Sequence, residues 1–195
     1  MKTYYAAAVL SCLPSLLFSQ TYQFEDYQVV GRLEADISGD GIVDTALLLD
    51  ELDNGGAAAL LIYLGDAREA PNNPIYVKEF AWMGAMFGTK PSLSINQSGS
   101  LEVISQNIAV GRDRWEQVVT IAYRRNAFRV AGLTYSYYDT LDLENIGMCD
   151  INYLTGSGVV SFGQEARPVP FDLSVNAVSV SEWSGTLPSI CFDRD

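Results

Sequence analysis

The chain contains no histidine. That excludes Ser-His-Asp and Cys-His catalysis, histidine-ligated zinc, and the commonest general base near neutral pH. Cysteine is scarce, at three in 195 residues. No Gly-x-Ser-x-Gly elbow, phosphate loop or dinucleotide fingerprint occurs. Basic residues are few: 12 Lys and Arg stand against 24 Asp and Glu, a net charge of −12. Without a polybasic run there is no footprint for nucleic acid or an anionic membrane, because phosphate neutralisation supplies most of that affinity. Helix signals are also missing beyond the first residues. No long stretch repeats apolar residues at i, i+3, i+4 and i+7 behind a capping residue.

Long apolar runs are confined to the amino terminus, where residues 1–19 read as an export signal. Lys2 is the lone positive charge, and residues 4–18 then run without a charge. This stretch is too short for a transmembrane helix, which needs roughly 20 residues. Cleavage near Ser19 or Gln20 would leave one domain, residues 20–195; retention of 1–19 as an anchor is the other reading. Val9-Leu10-Ser11-Cys12 loosely resembles a lipoprotein box. Only seven residues separate Thr3 from Ser11, so lipidation at Cys12 is not expected. No later segment is apolar for long enough to span a bilayer, and the protein is expected to be secreted or periplasmic.

Export leaves Cys149 and Cys191 as the only cysteines of the mature chain. In an oxidising compartment the simplest reading is a disulfide, with two buried free thiols as the alternative. The mature chain keeps all 24 acids, and the charge is uneven. Residues 20–66 carry ten acids opposed only by Arg32, whereas Arg112, Arg114, Arg124, Arg125 and Arg129 fall within 18 positions. These five arginines are either a partner surface or a solvated face paired with cross-strand acids such as Glu116.

Strand signals fill the rest. Residues 28–36 are mixed, whereas 44–49 and 58–64 are continuously apolar, as in strands covered on both faces. Residues 92–96 and 101–105 flank Gln97-Ser98-Gly99-Ser100, a hairpin turn. In 117–124, Val119, Ile121 and Tyr123 alternate with Thr120 and Arg124. Arg125-Asn126 makes the turn. The returning strand, 127–135, places Phe128 and Val130 on one face and Arg129 and Leu133 on the other. Residues 150–154 and 158–162 pair around Thr155-Gly156-Ser157. Pro168 and Pro170 mark an edge or a connection. A strand over 172–180 places Leu173, Val175, Ala177 and Ser179 together. Residues 67–82 hold a loop, Pro71-Asn72-Asn73-Pro74, beside a short strand. The expected fold is all-β: an antiparallel meander, sandwich, small barrel or open sheet with little helix.

The motif with chemistry of its own is Asp36-Ile-Ser38-Gly-Asp40-Gly41-Ile42-Val-Asp44. Oxygen-bearing residues stand at positions 1, 3, 5 and 9 of the frame and glycine at 6, while the carbonyl of Ile42 falls where a backbone ligand belongs. Calcium takes six to eight hard oxygens, and alternating short acidic side chains direct them into one turn. Position 12 is Leu47 rather than glutamate and the flanks are strands, so this is no helix-loop-helix EF-hand. The alternative is a solvated hairpin loop whose aspartates make Asx-turn bonds.

The motif and the apolar strand after it resemble the calcium loops of FG-GAP and related β-propeller repeats. The resemblance implies a structural calcium held by Asp36, Ser38, Asp40, Ile42 and Asp44, with Ser38 standing where those loops carry an amide or an acid. Trp115, Tyr123-Arg124, Phe128-Arg129-Val130-Ala131-Gly132 and Ile151-Asn152-Tyr153-Leu154-Thr155-Gly156 resemble a group of exported bacterial proteins that also begin with one such loop. That second resemblance implies fold and compartment but no mechanism.

Function is bounded from these features. A secreted or periplasmic, non-catalytic β-module stabilised by a calcium loop, binding a protein or a glycan, is the favoured expectation. An inhibitor or immunity-type protein docking on a basic enzyme is the alternative. A glycoside hydrolase using paired carboxylates is the third reading, since it needs only Asp and Glu at a set separation. Tyr135, Tyr137 and Tyr138 are expected in the core, with a carbohydrate platform as the alternative.

Overall fold

The computed structural model of the protein describes residues 27–51, 56–65, 74–165, 167–174 and 177–192. The expected signal at 1–19 with Cys12, most of the loop at 71–74, and Val175 lie outside the described residues. Among the described residues there are eleven strands, with two single-turn 3-10 helices near the carboxyl end. Strands β1 (Tyr27–Ala35), β2 (Asp44–Glu51), β3 (Ala57–Tyr63) and β4 (Ile75–Trp82) form one antiparallel sheet in chain order. A second, seven-stranded antiparallel sheet holds β5 (Ser92–Ile95), β6 (Leu101–Asn107), β7 (Asp113–Arg124), β8 (Ala127–Asp139), β9 (Ile146–Asn152), β10 (Ser157–Phe162) and β11 (Val169–Asp172), again in chain order. The fold is therefore all-β, two meanders laid face to face with no closed barrel.

Alternation along the strands explains why the sheets pack. Ala46, Leu48, Leu60, Ile62 and Phe80 of the first sheet share one core with Leu101, Val103, Val119, Ile121 and Phe128 of the second. On the first sheet's other face Leu47, Leu49, Ala59 and Leu61 form a second buried cluster with Tyr27, Tyr63 and Tyr76. This is why β2 and β3 read as unbroken apolar runs: both of their faces are covered.

Expected hairpins are observed at 96–101, 124–127 and 152–157, with departures that have identifiable causes. Arg125 and Asn126 both have positive φ, 54° and 58°, the conformation of a type I′ turn. Leu133 does not lie opposite Phe128 and Val130; all three are in the shared core. The pairing runs Thr120↔Gly132 and then Ile121↔Val130, so Ala131 is an extra residue and resets the alternation. Strand β9 begins at Ile146, four residues before the expected start. Among the described residues the expected strand at 172–180 is not continuous. Strand β11 stops at Asp172, an isolated bridge joins Ser179 to Arg129, and a 3-10 turn spans Val180–Glu182. Pro170 sits in β11, the sheet's edge strand, where a missing N–H does no harm.

Cys149 of β9 and Cys191 of the second 3-10 turn form the expected disulfide, with Cα atoms 5.3 Å apart. Both are buried in the shared core. Among the described residues no helix is long and apolar enough to cross a membrane.

Candidate functional site

The aspartate motif occupies the turn between β1 and β2, with Ala35 paired to Asp44 at its base. Its three carboxylates bind the loop's own backbone. Asp36 accepts from the N–H groups of Gly39 (2.7 Å) and Asp40 (3.0 Å) through Oδ1 and of Gly41 (2.9 Å) through Oδ2. Asp40 Oδ1 accepts from the Ile42 N–H at 2.8 Å. Gly41 has φ +86°, as the bend requires.

Asp44 plays a different part. It is fully buried, and its Oδ2 accepts from the N–H groups of Ile37 (2.9 Å) and Ser38 (2.7 Å). Its Oδ1 accepts from the Gly65 N–H at 2.8 Å, beyond the end of β3. A Cβ on Gly65 would collide with the Val43 carbonyl oxygen, so only glycine brings that N–H to the carboxylate. Asp44 thus clamps both ends of the loop to the neighbouring strand. Gly65 carries no signature detectable from the motif, because 21 residues separate the pair.

Among the described residues, no three acidic or cysteine side chains gather into a ready-made metal cage. Some acceptor positions of the loop's carboxylates are left unfilled by its own hydrogen bonds. A carboxylate has about four acceptor positions. Asp36 and Asp44 each have three filled and Asp40 one. Asp36 and Asp40 are exposed, and the Ser38 hydroxyl oxygen is buried with no hydrogen-bond partner. Asp36, Ser38, Asp40 and the Ile42 carbonyl would hold the ion, with Asp44 fixing the loop around them and offering one remaining position.

The five arginines do not share one surface. Arg112 immediately precedes β7, Arg114 lies near its start and Arg124 at its end, about 34–41 Å away at about 3.4 Å per residue. Glu116 faces Gln106 and Ser136 across the strands rather than an arginine. Arg124, Arg125 and Arg129 line one cleft with Tyr153, Leu154 and Ala177. There Arg124 donates to the Tyr123 carbonyl (2.8 Å) and Arg129 to that of Ala177 (3.3 Å).

Arg112 is committed to Asp139, the last residue of β8. Its Nε donates to both carboxylate oxygens, at 2.9 and 2.7 Å, and Leu141 N–H donates to the same group at 2.8 Å. The Arg112 hydrogen bond outweighs burial and holds the Asp139 carboxyl at about 2, below the ordinary 3.8. A depressed carboxyl stabilises the fold above its unfolded pKa, and the contribution disappears as pH falls through the folded value. The melting temperature should therefore decline between about pH 4 and pH 2 through this group. Asp139→Asn should melt lower at neutral pH and decline less steeply over that interval, which a pH series of thermal melts on both proteins would measure.

Next to this pair lies an aromatic groove of about 220 Å³ lined by Trp115, Tyr135, Tyr137, Tyr138 and Phe192. None of the three tyrosines is core: Tyr135 and Tyr137 are half-buried and Tyr138 is exposed. Trp115, Tyr135 and Tyr137 continue the inward-facing alternation of Val119 and Leu133. Trp82, at the end of β4, packs on Trp115 with ring centroids 5.0 Å apart. Tyr137 lies over Gly147, its partner on β9, where any Cβ would come within 2.6 Å of the ring. The disulfide brings Phe192 against Tyr135 at 5.8 Å. Burial and the neighbouring Tyr137 raise the Tyr135 hydroxyl above its ordinary pKa, so it stays neutral.

These features define a class: a two-sheet antiparallel meander with a clamped aspartate hairpin and a surface aromatic groove. No family model matches the chain, and no curated protein or solved structure matches it either.

Proposed function

We propose that this is an exported, non-catalytic binding module whose FG-GAP-like hairpin loop takes a structural calcium ion. The observation that carries the calcium reading is the buried, unpartnered Ser38 hydroxyl oxygen at position 3 of a loop already organised by Asp36 and Asp44. A buried polar atom without a partner is destabilising, and a cation at that point relieves it. The absence of histidine and the Cys149–Cys191 disulfide support a binding role in an oxidising, secreted or periplasmic setting.

The test is a thermal melt after EDTA treatment and again with calcium. An extracellular-type site has a dissociation constant of about 0.1–1 mM, so about 10 mM calcium should add about 1.4–2.7 kcal/mol. Asp40→Ala should abolish the increment while leaving the metal-free melt close to that of the parent, because Asp40 is exposed and makes a single loop bond. Asp44 is unsuitable for this purpose, since its loss removes the clamp as well. No shift in the folded parent protein would overturn the calcium reading.

A further inference from the structure

The aromatic groove has the chemistry of a sugar site. Successive rings are moderately tilted: Trp115 and Tyr135 are inclined by 33° at 6.3 Å, and Tyr135 and Tyr137 by 34° at 5.9 Å. All three are half-buried, so each keeps part of its ring exposed at the groove. Trp82 and Phe192 flank it, 41% and 51% exposed. Apolar ring faces of this kind accept the C–H faces of a ligand.

The polar lining decides what that ligand is. Asp113 offers an acceptor, Asn145 carries both donors and an acceptor, and Arg114 offers donors. The Arg114 Nη1 is buried and has no hydrogen-bond partner. An apolar peptide side chain would leave that donor orphaned, whereas a hydroxyl both donates and accepts. A nucleobase strand or a polyanionic glycan would approach a chain of net charge −12, which repels it. The groove is also below the roughly 300–1,000 Å³ of sites that enclose drug-sized ligands, which suits one or two rings of a longer chain.

We propose that this groove binds an uncharged oligosaccharide, with sugar rings lying on Trp115 and Tyr135 and their hydroxyls bonded to Asp113, Arg114 and Asn145. The inference names the partner of the binding module proposed above and rests on that reading.

The test is titration calorimetry with tryptophan fluorescence on the intact protein. The probes are maltohexaose, cellohexaose, laminarihexaose, xylohexaose, mannohexaose and chitohexaose at up to about 10 mM, with polygalacturonate as the polyanion. At least one neutral oligosaccharide should bind saturably and change the fluorescence, and polygalacturonate should not. Trp115→Ala should weaken binding about tenfold or more. Phe192→Ala, at an exposed position where the fold is not at stake, should weaken it by a smaller factor. Failure of all six neutral probes, binding of polygalacturonate alone, or unchanged affinity in both variants would overturn the inference. If all six fail while calcium still raises the melting temperature, the sugar site falls and the calcium module stands. If the bound oligosaccharide is instead shortened, as read by chromatography, the sugar site stands and the non-catalytic reading falls.

Discussion

Asp44→Ala is expected to lower the unfolding free energy by about 3–6 kcal/mol, at about one to two kcal/mol for each donor it abandons. Three backbone N–H groups converge on this carboxylate, from Ile37, Ser38 and Gly65, and Asp44 itself is fully buried. Alanine supplies no acceptor and leaves a space closed to the bulk. An asparagine side chain would keep one oxygen for the Ile37 and Ser38 donors but turn an NH₂ toward the Gly65 N–H, so Asp44→Asn should recover only part of the loss. Since a single domain is stable by roughly 5–15 kcal/mol, the alanine variant should sit close to its unfolding limit. Chemical denaturation at constant m-value measures the effect. Gly65→Ala should be damaging by a separate cause, the collision of the new Cβ with the Val43 carbonyl oxygen. Because both residues serve one contact, the two losses should not add. A loss under about 1 kcal/mol for Asp44→Ala would mean that water replaces the carboxylate and the clamp is not a clamp.

Removing the Cys149–Cys191 disulfide by paired alanine substitutions is expected to cost about 4 kcal/mol, the chain-entropy value for a loop of that length. The sequence separation is 42, and the loop holds β10, β11 and both 3-10 turns. These elements are short: β11 has four residues and each 3-10 turn three. The segment after β11 joins the body through few backbone bonds, such as Val130 N–H to Val178 O at 3.0 Å. The cross-link therefore does for the tail what strand pairing does for the rest. Both sulfurs lie in the core, so the native bond should resist a thiol reductant until the protein is partly unfolded. Comparing denaturation midpoints of the parent and the doubly substituted protein measures the effect. Loss of the bridge should also release Phe192 from Tyr135.

The local signals that sequence carries were the ones that proved legible. Period-two alternation, continuous apolar runs and turn residues locate β1, β2, β3, β5, β6, β7, β8 and β10 because those strands turn one or both faces toward a core. The cysteine pair is legible from counting alone. Legibility fails where a residue's role depends on a distant partner. Leu133 faces inward only because Ala131 is unpaired against β7, and no local pattern at 127–135 reports an extra residue. The start of β9 is hidden because Gly147 and the acids Asp142 and Glu144 read as loop, whereas Gly147 is there to admit the ring of Tyr137. The motif 36–44 is visible as a turn of carboxylates, but its division of labour is not. Asp36 and Asp44 look equivalent in sequence, and burial alone makes one a rim residue and the other a clamp. The groove was the least legible of all. Trp82, Trp115, Tyr135 and Phe192 lie on four separate segments, and only the folded sheet ends bring their rings together.

The strand order carries a consequence for how the chain reaches this state. Within each sheet every strand pairs with its sequence neighbour. Growth can therefore proceed by adding one hairpin arm at a time, and each addition closes only a short loop. Low sequence separation between partners favours rapid assembly for an all-β protein, and chain synthesis presents the strands in the order in which they pair. The contacts of longest range are those between the two sheets, which share one core. Cys191 lies beyond every described strand, so its bond to Cys149 of β9, across 42 residues, works as a latch on the tail rather than as part of the hairpin-by-hairpin pairing.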